Sequence, residues 1–374
     1  MVFNMDVVKG KKMTKLKRIS TKNRAKQVKE SIKKPREREA PVEFLTSGCT
    51  TFNLACSGTK DGAVPRGRFF NLVGDGSSGK SLFANETAFH FLKFVKTNKS
   101  EIFPSVKTAK VVYNNGEAVM DFPLVKMYGQ KYVDAVEWIR SKNIEQVGRD
   151  VLERTKALKK GESLLYIIDS WDSFRSVHDS KILEEKDEEI IKGYALKKQQ
   201  FAWAFCAEFC EWIDKNNTDV TLFVISQTKR KIGVTFGKQK YRTGGDALNF
   251  YTHLVPWIRE VKKLTKTRKG EKRVYGVDGE VKVERSKVAL PFRTANFRIL
   301  FDYGVDDIAS CGAYLKSKKM TKWHGIGLSD LEEFSKEIEK KGLHEKLKIK
   351  VEKLWQDVEE EFATFTDNRE KRTL

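Results

Sequence analysis

Long apolar runs are absent from this chain. Nowhere does it approach the roughly 20 consecutive apolar residues that span a bilayer, and its Lys-rich N-terminus has no apolar segment of the secretory type. A soluble, intracellular protein with no membrane partner is expected. Cysteine is also sparse. Cys49, Cys56, Cys206, Cys210 and Cys311 are odd in number, form no CxxC pair and have no histidine at zinc-site spacing, which argues against a disulfide framework or a structural zinc site. Reduced thiols in a reducing compartment fit better. Cys206 and Cys210 stand four apart on a predicted helix, where two small buried side chains are a simpler reading than a metal pair. No internal repeat is visible. The hydrophobic content of 40% still supports a globular protein, and 374 residues allow one large core with one or two appendages.

Acidic residues are in deficit: 51 Asp and Glu face 72 Lys and Arg, a formal charge of +21. The excess is uneven. Residues 1–40 hold fourteen Lys/Arg against Asp6, Glu30, Glu37 and Glu39, a local charge of +10. Such a segment repels itself and is expected to be mobile or marginally helical when free. A polyanion is its natural partner, nucleic acid first, bound with steep salt dependence. A solvated tail serving only solubility is the alternative.

The run Gly74-Asp75-Gly76-Ser77-Ser78-Gly79-Lys80-Ser81 fits the phosphate-cradling pattern GxxxxGK[ST] at every defined position. It follows an apolar run, Phe69 to Val73, and precedes a helical pattern carrying Leu82, Phe83, Ala88, Phe89 and Leu92. In that strand–loop–helix setting the glycines let backbone N–H groups close on phosphates, Lys80 neutralises the outer phosphates and Ser81 holds Mg²⁺. The competing reading is a Gly/Ser turn with an incidental lysine.

Three further short apolar runs, Lys110 to Asn114, Leu164 to Ile168 and Val220 to Ser226, have the character of central strands covered on both faces. Helical patterns separate them, notably Tyr132 to Leu158, with breaks allowed, and Leu196 to Lys215. Alternating strand and helix predicts a doubly wound, mainly parallel α/β sheet, with ligands beyond the strands' carboxyl ends. The residues at those ends are candidates for chemistry. Asp169 closes an aliphatic run and can order Mg²⁺ or its water shell; Glu117 can accept a proton from attacking water; Gln227 can sense the γ-phosphate through its amide. Each taken singly can also be no more than a strand-end cap.

After Gln227 come Lys229-Arg230-Lys231-Ile232-Gly233-Val234-Thr235-Phe236-Gly237 and then Thr243-Gly244-Gly245-Asp246-Ala247-Leu248-Asn249-Phe250-Tyr251. Basic side chains, paired glycines and a lone aromatic suit a loop that lies along phosphates and wedges between bases. This segment resembles the second DNA-binding loop of the RecA recombinase family. The resemblance is collinear from about residue 44 to 303: Ser47 to Ser81 resembles the family's lead-in and phosphate loop, Gly116-Glu117-Ala118 its catalytic glutamate, and Asp169-Ser170 its Walker B end. Lys282 to Phe292 resembles the strand pair that reaches into the neighbouring subunit's ATP site.

The resemblance implies a RecA-like P-loop ATPase core over residues 41–303, preceded by the basic segment 1–40 and followed by a small, mainly helical domain over 304–374. It implies ATP with Mg²⁺ as cofactors, Asp121 among the nucleotide contacts, and Arg285 and Lys287 acting in trans on the transferring phosphoryl group. Lys197, Lys229, Arg230, Lys231, Phe236, Gly244 and Gly245 are then DNA-binding residues, and Phe250 lies at the filament interface or, alternatively, in its own domain's core. The implied activity is a DNA-dependent ATPase that forms a homo-oligomeric helical filament on single-stranded DNA and exchanges strands with homologous duplex DNA. Single-strand-binding or loader proteins are candidate partners, and the cytoplasm of a bacterial or phage-infected cell is the expected location.

Some positions depart from the family pattern. Asp246 stands beside the glycine pair, the expected first DNA-binding loop holds the acidic run Glu184-Glu185-Lys186-Asp187-Glu188-Glu189, and Leu124 occupies an adenine-stacking tyrosine's place. Pro256 predicts a bulge or an edge strand. Beyond 304, Ser329-Asp330-Leu331-Glu332 reads as a capping box opening one helix, with a second expected from about Leu343 to Phe362. Two other activities remain compatible with the nucleotide residues: a ring-type replicative helicase on the same core, and a mediator that binds DNA and ATP without exchanging strands. The helicase is not expected to carry both the Gly244-Gly245 loop and the Lys282 to Phe292 segment.

Overall fold

The computed structural model describes residues 42–97, 100–117, 123–177, 188–230, 240–242 and 245–367. The basic segment 1–40 lies outside the described residues. In chain order the elements are β1 (Phe44–Leu45), α1 (Thr50–Ser57), β2 (Val64–Pro65), β3 (Phe69–Gly74), α2 (Lys80–Thr97), β4 (Thr108–Asn115), α3 (Leu124–Tyr128), α4 (Gln130–Ala135), β5 (Val136–Ile139), α5 (Ile144–Ala157), β6 (Glu162–Asp169), α6 (Glu188–Asn216), β7 (Val220–Arg230), β8 (Lys240–Arg242), α7 (Gly245–Tyr251), β9 (Leu254–Arg268), β10 (Glu271–Ser286), β11 (Thr294–Leu300), β12 (Gly304–Val305), α8 (Asp307–Ser317), β13 (Lys322–Trp323), β14 (Ile326–Gly327), α9 (Leu331–Lys340) and α10 (His344–Asp367).

The apolar runs are strands because both of their faces are buried. Phe70, Leu72, Val111, Tyr113, Leu165, Ile167, Phe223 and Ile225 face one hydrophobic cluster, while Phe69, Val112, Leu164, Tyr166, Ile168, Leu222 and Val224 alternate into the other. The first cluster is closed by α1, α2 and the C-terminal helices, with Phe52, Phe83 and Phe297 in contact at ring separations of 4.5 to 6.0 Å. The second is closed by α5, α6 and α7. Strand order in the main sheet is β12-β11-β10-β9-β3-β7-β6-β4-β5, with β8 pairing β7. From β9 through β5 the neighbours are parallel, and β10, β11 and β12 extend the sheet as an antiparallel meander.

Several details differ from the sequence reading. β5 interrupts the helix expected over Tyr132 to Leu158: Val136-Glu137-Trp138-Ile139 pairs in parallel with Val111 to Asn114, an edge strand masked by helical spacing on either side. α6 begins at Glu188, earlier than expected, so the end of the acidic run is helical; residues 184–187 lie outside the described residues. Pro256 does mark a bulge, as expected, though not an edge strand: it sits inside the sheet opposite Val283, where the register of β10 shifts. The cap of α9 is Asp330 and not Ser329, because one carboxylate oxygen accepts from both Glu332 N (2.9 Å) and Glu333 N (3.2 Å).

Residues 304–367 share the first cluster's core: Ile308, Cys311, Leu315, Phe334, Ile338, Leu347, Val351 and Trp355 belong to the same cluster as Phe52 and Phe83. Buried Asp307 fastens three helices. Its carboxylate accepts from Thr50 N (2.6 Å) and Thr50 Oγ1 (2.8 Å) at the start of α1 and contacts His344 Nε2 (2.9 Å) at the start of α10.

Glu86, midway along α2, is enclosed by Gly48 and Gly304, whose hydrogens leave the room that a Cβ would take from the carboxyl. Burial raises its pKa to about 7 against opposing hydrogen bonds from Tyr128 Oη and the Val305 N–H. His90, 3.8 Å away, is pushed down to about 4, chiefly by burial, and therefore offers no positive charge near neutrality. A carboxyl with a raised folded pKa loses nothing while both states are protonated, loses stability between the ordinary carboxylate range and about pH 7, and carries the full penalty above that. Glu86→Gln should therefore flatten the pH dependence of urea unfolding and raise stability at pH 8 by up to about 3 kcal/mol, with little change at pH 4.

Candidate nucleotide site

β3 delivers the chain to the phosphate loop, and two of its glycines are required by space. A Cβ on Gly74 would meet Ser78 Oγ at 2.6 Å and the Ile258 carbonyl oxygen at 2.7 Å; one on Gly79 would meet Ile299 Cδ1 at 2.5 Å, and Gly79 has φ +93°. The loop folds onto Asp75, whose carbonyl accepts from Ser78 Oγ (2.8 Å) and Lys80 Nζ (2.5 Å). Lys80 opens α2 and is 7% exposed. Desolvation lowers its pKa, while Asp169, Glu117, Asp75 and Asp172 act in the opposite direction. The ammonium thus rests on a backbone carbonyl amid an excess of carboxylate charge, so a phosphate entering here needs a cation beside it.

Asp169 ends β6, opposite Asn115 of β4 in parallel register. It is 3% exposed, and one oxygen accepts from Tyr113 Oη at 2.5 Å. Burial raises its pKa; the hydroxyls of Tyr113 and Ser81 and the charge of Lys80 pull it down. Its other oxygen, Oδ1, is buried without a hydrogen-bond partner among the described residues. An orphaned carboxylate oxygen beside the Ser81 hydroxyl fits a hard cation such as Mg²⁺. Ser81 and Asp169 are the residues that would hold it.

Glu117 and Gln227 meet over this centre. Gln227 Nε2 donates to Glu117 Oε1 at 3.0 Å, the Gln227 N–H donates to Asp172 Oδ2 at 2.7 Å, and Ser170 Oγ lies 3.5 Å from Glu117. Gly116 holds the turn, its N–H bonding the Asp169 carbonyl at 2.7 Å while Phe174 fills the space a Cβ would need. The structure thus brings Lys80, Ser81, Glu117, Asp169 and Gln227 into one crevice at the strands' carboxyl ends. Sequence reasoning missed Tyr113, which lay within an apolar strand run, and Asp172, which carries no motif. For Asp172 the available signal was its closeness to Asp169 along the chain; for Tyr113, brought to Asp169 by the β4–β6 register, there was none.

Arg285 and Lys287 lie elsewhere. Arg285 pairs with Val255 and Ser286 with Leu254, level with Phe70, whereas Gly74 pairs with Ile258. Four residues of strand, about 13 Å at 3.3 Å each, separate their level from the end of β3. Arg285 donates to the Asn249 carbonyl, and Lys287 to the Phe250 carbonyl at 2.5 Å, with its ammonium 5.5 Å from the Phe250 ring centroid. Phe250 is 55% exposed and contacts Trp203 and Tyr251. Lys197 and Lys229 are exposed, and Gly245 opens α7. Asp121, Lys231, Phe236, Gly244 and the side chain of Arg230 lie outside the described residues.

The sheet order and the glycine-rich strand–loop–helix at its carboxyl ends define an α/β protein with a mainly parallel sheet flanked by helices. The RecA N-terminal domain family matches residues 195–306. Similar curated proteins include a Protein RecA from Gloeothece citriformis, 28% identical over 274 residues, and one from a Synechocystis species, 44% identical over 265 residues; each alignment covers 71% of this chain and 66% of the relative. A Protein RecA from Prochlorococcus marinus is 27% identical over 265 residues, covering 71% of this chain and 63% of the relative. The chain belongs to the RecA family, and it spans about two thirds of the length of these relatives.

If Lys80 is the cation that meets the outer phosphates, Lys80→Ala should weaken Mg-ATP binding about 10- to 100-fold, read by titration with a fluorescent ATP analogue. Asp169→Asn should raise the Mg²⁺ concentration needed for half-maximal nucleotide binding by about 10-fold or more.

Proposed function

We propose that this protein is a DNA-dependent ATPase that polymerises as a helical filament on single-stranded DNA and exchanges strands with a homologous duplex. The observation that carries the reading is the Glu117–Gln227 hydrogen bond. It joins the position of a general base to the strand that continues through Thr228 and Lys229 toward the basic segment Arg230, Lys231 and Phe236. ATP with Mg²⁺, when bound, supplies the phosphoryl group whose transfer to water releases the energy. Lys80 neutralises the outer phosphates, Ser81 and Asp169 hold the metal, and Glu117 accepts the water proton. Gln227 responds at the γ-phosphate position by exchanging its bond to Glu117, and β7 carries that change outward.

The distance of Arg285 and Lys287 from their own phosphate loop supports a role in a neighbour's site. Both now rest on backbone carbonyls at the end of α7, next to exposed Phe250, so a subunit docking there would meet two cations and an aromatic anchor together. Arginines acting in trans are worth about 10³ to 10⁵ in hydrolysis rate, roughly 4 to 7 kcal/mol. DNA contact falls to Lys197, Lys229, Arg230, Lys231, Phe236 and the Gly244-Gly245 turn, with the basic segment 1–40 adding long-range attraction. No helix among the described residues is long and apolar enough to cross a membrane.

ATP turnover measured with and without single-stranded DNA tests the reading. Stimulation by DNA that declines with salt is expected, and identical turnover in both conditions would overturn it. Glu117→Gln should retain ATP binding but stop hydrolysis. Arg285→Ala should bind ATP normally yet lose at least about 10³-fold of the stimulated rate; normal stimulated turnover would remove Arg285 from the shared site. Deleting residues 1–40 should lower DNA affinity and flatten its salt slope.

A further inference from the structure

The β3–β7 ladder does not stop where its backbone pairing stops. Its parallel register runs from Phe69↔Leu222 to Gly74↔Gln227. One step on, the Thr228 hydroxyl donates to the Asp75 carboxylate in the same register, so side chains supply the next rung. Asp75 is the first residue of the phosphate loop proper, and its carbonyl already takes the Lys80 ammonium and the Ser78 hydroxyl. Thr228 is the first residue of the β7 overhang that pairs with β8, through Thr228↔Arg242, Lys229↔Tyr241 and Arg230↔Lys240. The phosphate loop and the β7–β8 pair are therefore tied at one point.

We propose that Thr228 is a positioning residue that couples the phosphate loop to the β7–β8 pair through Asp75. A bound phosphate draws Lys80 away from the Asp75 carbonyl, and the Asp75 carboxylate, one residue from the glycine that opens the loop, is repelled by the same charge. Both forces act on the residue that Thr228 grips, so loop rearrangement reaches β7 by a route separate from Glu117 and Gln227. Without the hydroxyl, phosphate binding still rearranges the loop, but β7 no longer follows. The consequence for DNA affinity rests on the function proposed above; the mechanical coupling does not.

Thr228→Val keeps the branched shape and removes the donor, and Thr228→Ser restores it. Backbone hydrogen exchange of peptides spanning β7 and β8, with and without a non-hydrolysable ATP analogue and no DNA, reads the coupling directly. The wild-type protein and Thr228→Ser should show a nucleotide-dependent change in exchange there. Thr228→Val should lose it while its affinity for the analogue stays within about twofold. In parallel, the ratio of oligonucleotide affinities with the ATP analogue and with ADP should fall about 5-fold or more in Thr228→Val, the lower end of ordinary coupling between sites. An unchanged exchange response in Thr228→Val, or none in the wild type despite bound analogue, overturns the inference. A response that depends on Thr228 but leaves oligonucleotide affinity untouched in the wild type upholds the coupling and overturns the DNA-dependent function instead.

Discussion

The parallel register of β3, β7, β6 and β4 is the constraint on which the site depends. It holds because these strands carry apolar side chains on both faces, so that a slip by one residue would exchange the Phe70, Leu72, Ile167 and Phe223 face for the Phe69, Tyr166 and Leu222 face in two differently shaped cores. With the register set, Gly74 stands beside Gln227 and Asn115 beside Asp169. Polar residues that are poor strand members individually then meet at one rim, the carboxyl ends of these strands.

Electrostatics at that rim is arranged around a buried ammonium. Lys80 is desolvated among Asp169, Glu117, Asp75 and Asp172, and Asp169 is itself desolvated, with one oxygen lacking a hydrogen-bond partner among the described residues. Carboxylates outnumber the ammonium there, so the site lacks positive charge and favours an added cation at Asp169. On the proposed function, Mg²⁺ supplies that charge and carries the phosphates in with it. The Glu117–Gln227 bond stands over this centre as the contact that hydrolysis would alter first.

The strand–loop–helix from Phe69 to Thr97, the apolar strands and the acid closing β6 were legible in the sequence because they depend on local spacing: glycines where a tight turn leaves no room for a Cβ, and a carboxylate directly after an aliphatic run. The mainly parallel sheet followed from alternation of strand and helix. What was not legible depends on register between distant strands. Tyr113 is an ordinary core aromatic until β4 is laid beside β6, and Thr228 has no meaning until β7 is laid beside β3. β5 was hidden because four strand residues sit between helical segments, and Asp330 displaced Ser329 as a cap because a carboxylate can serve two N–H groups. The contacts of Arg285 and Lys287 with the end of α7 were equally invisible, since they join segments through carbonyl groups that carry no sequence signature.

The central claim is that one subunit's nucleotide is completed by the next subunit's cations. It is tested most directly by mixing Lys80→Ala chains with Arg285→Ala chains on single-stranded DNA and measuring ATP turnover against each variant alone. Shared pockets predict that the mixture regains a clear fraction of wild-type turnover, because some junctions pair an intact Lys80 with an intact Arg285. Turnover no greater than the sum of the two separate variants, in mixtures shown to co-assemble, would contradict the account.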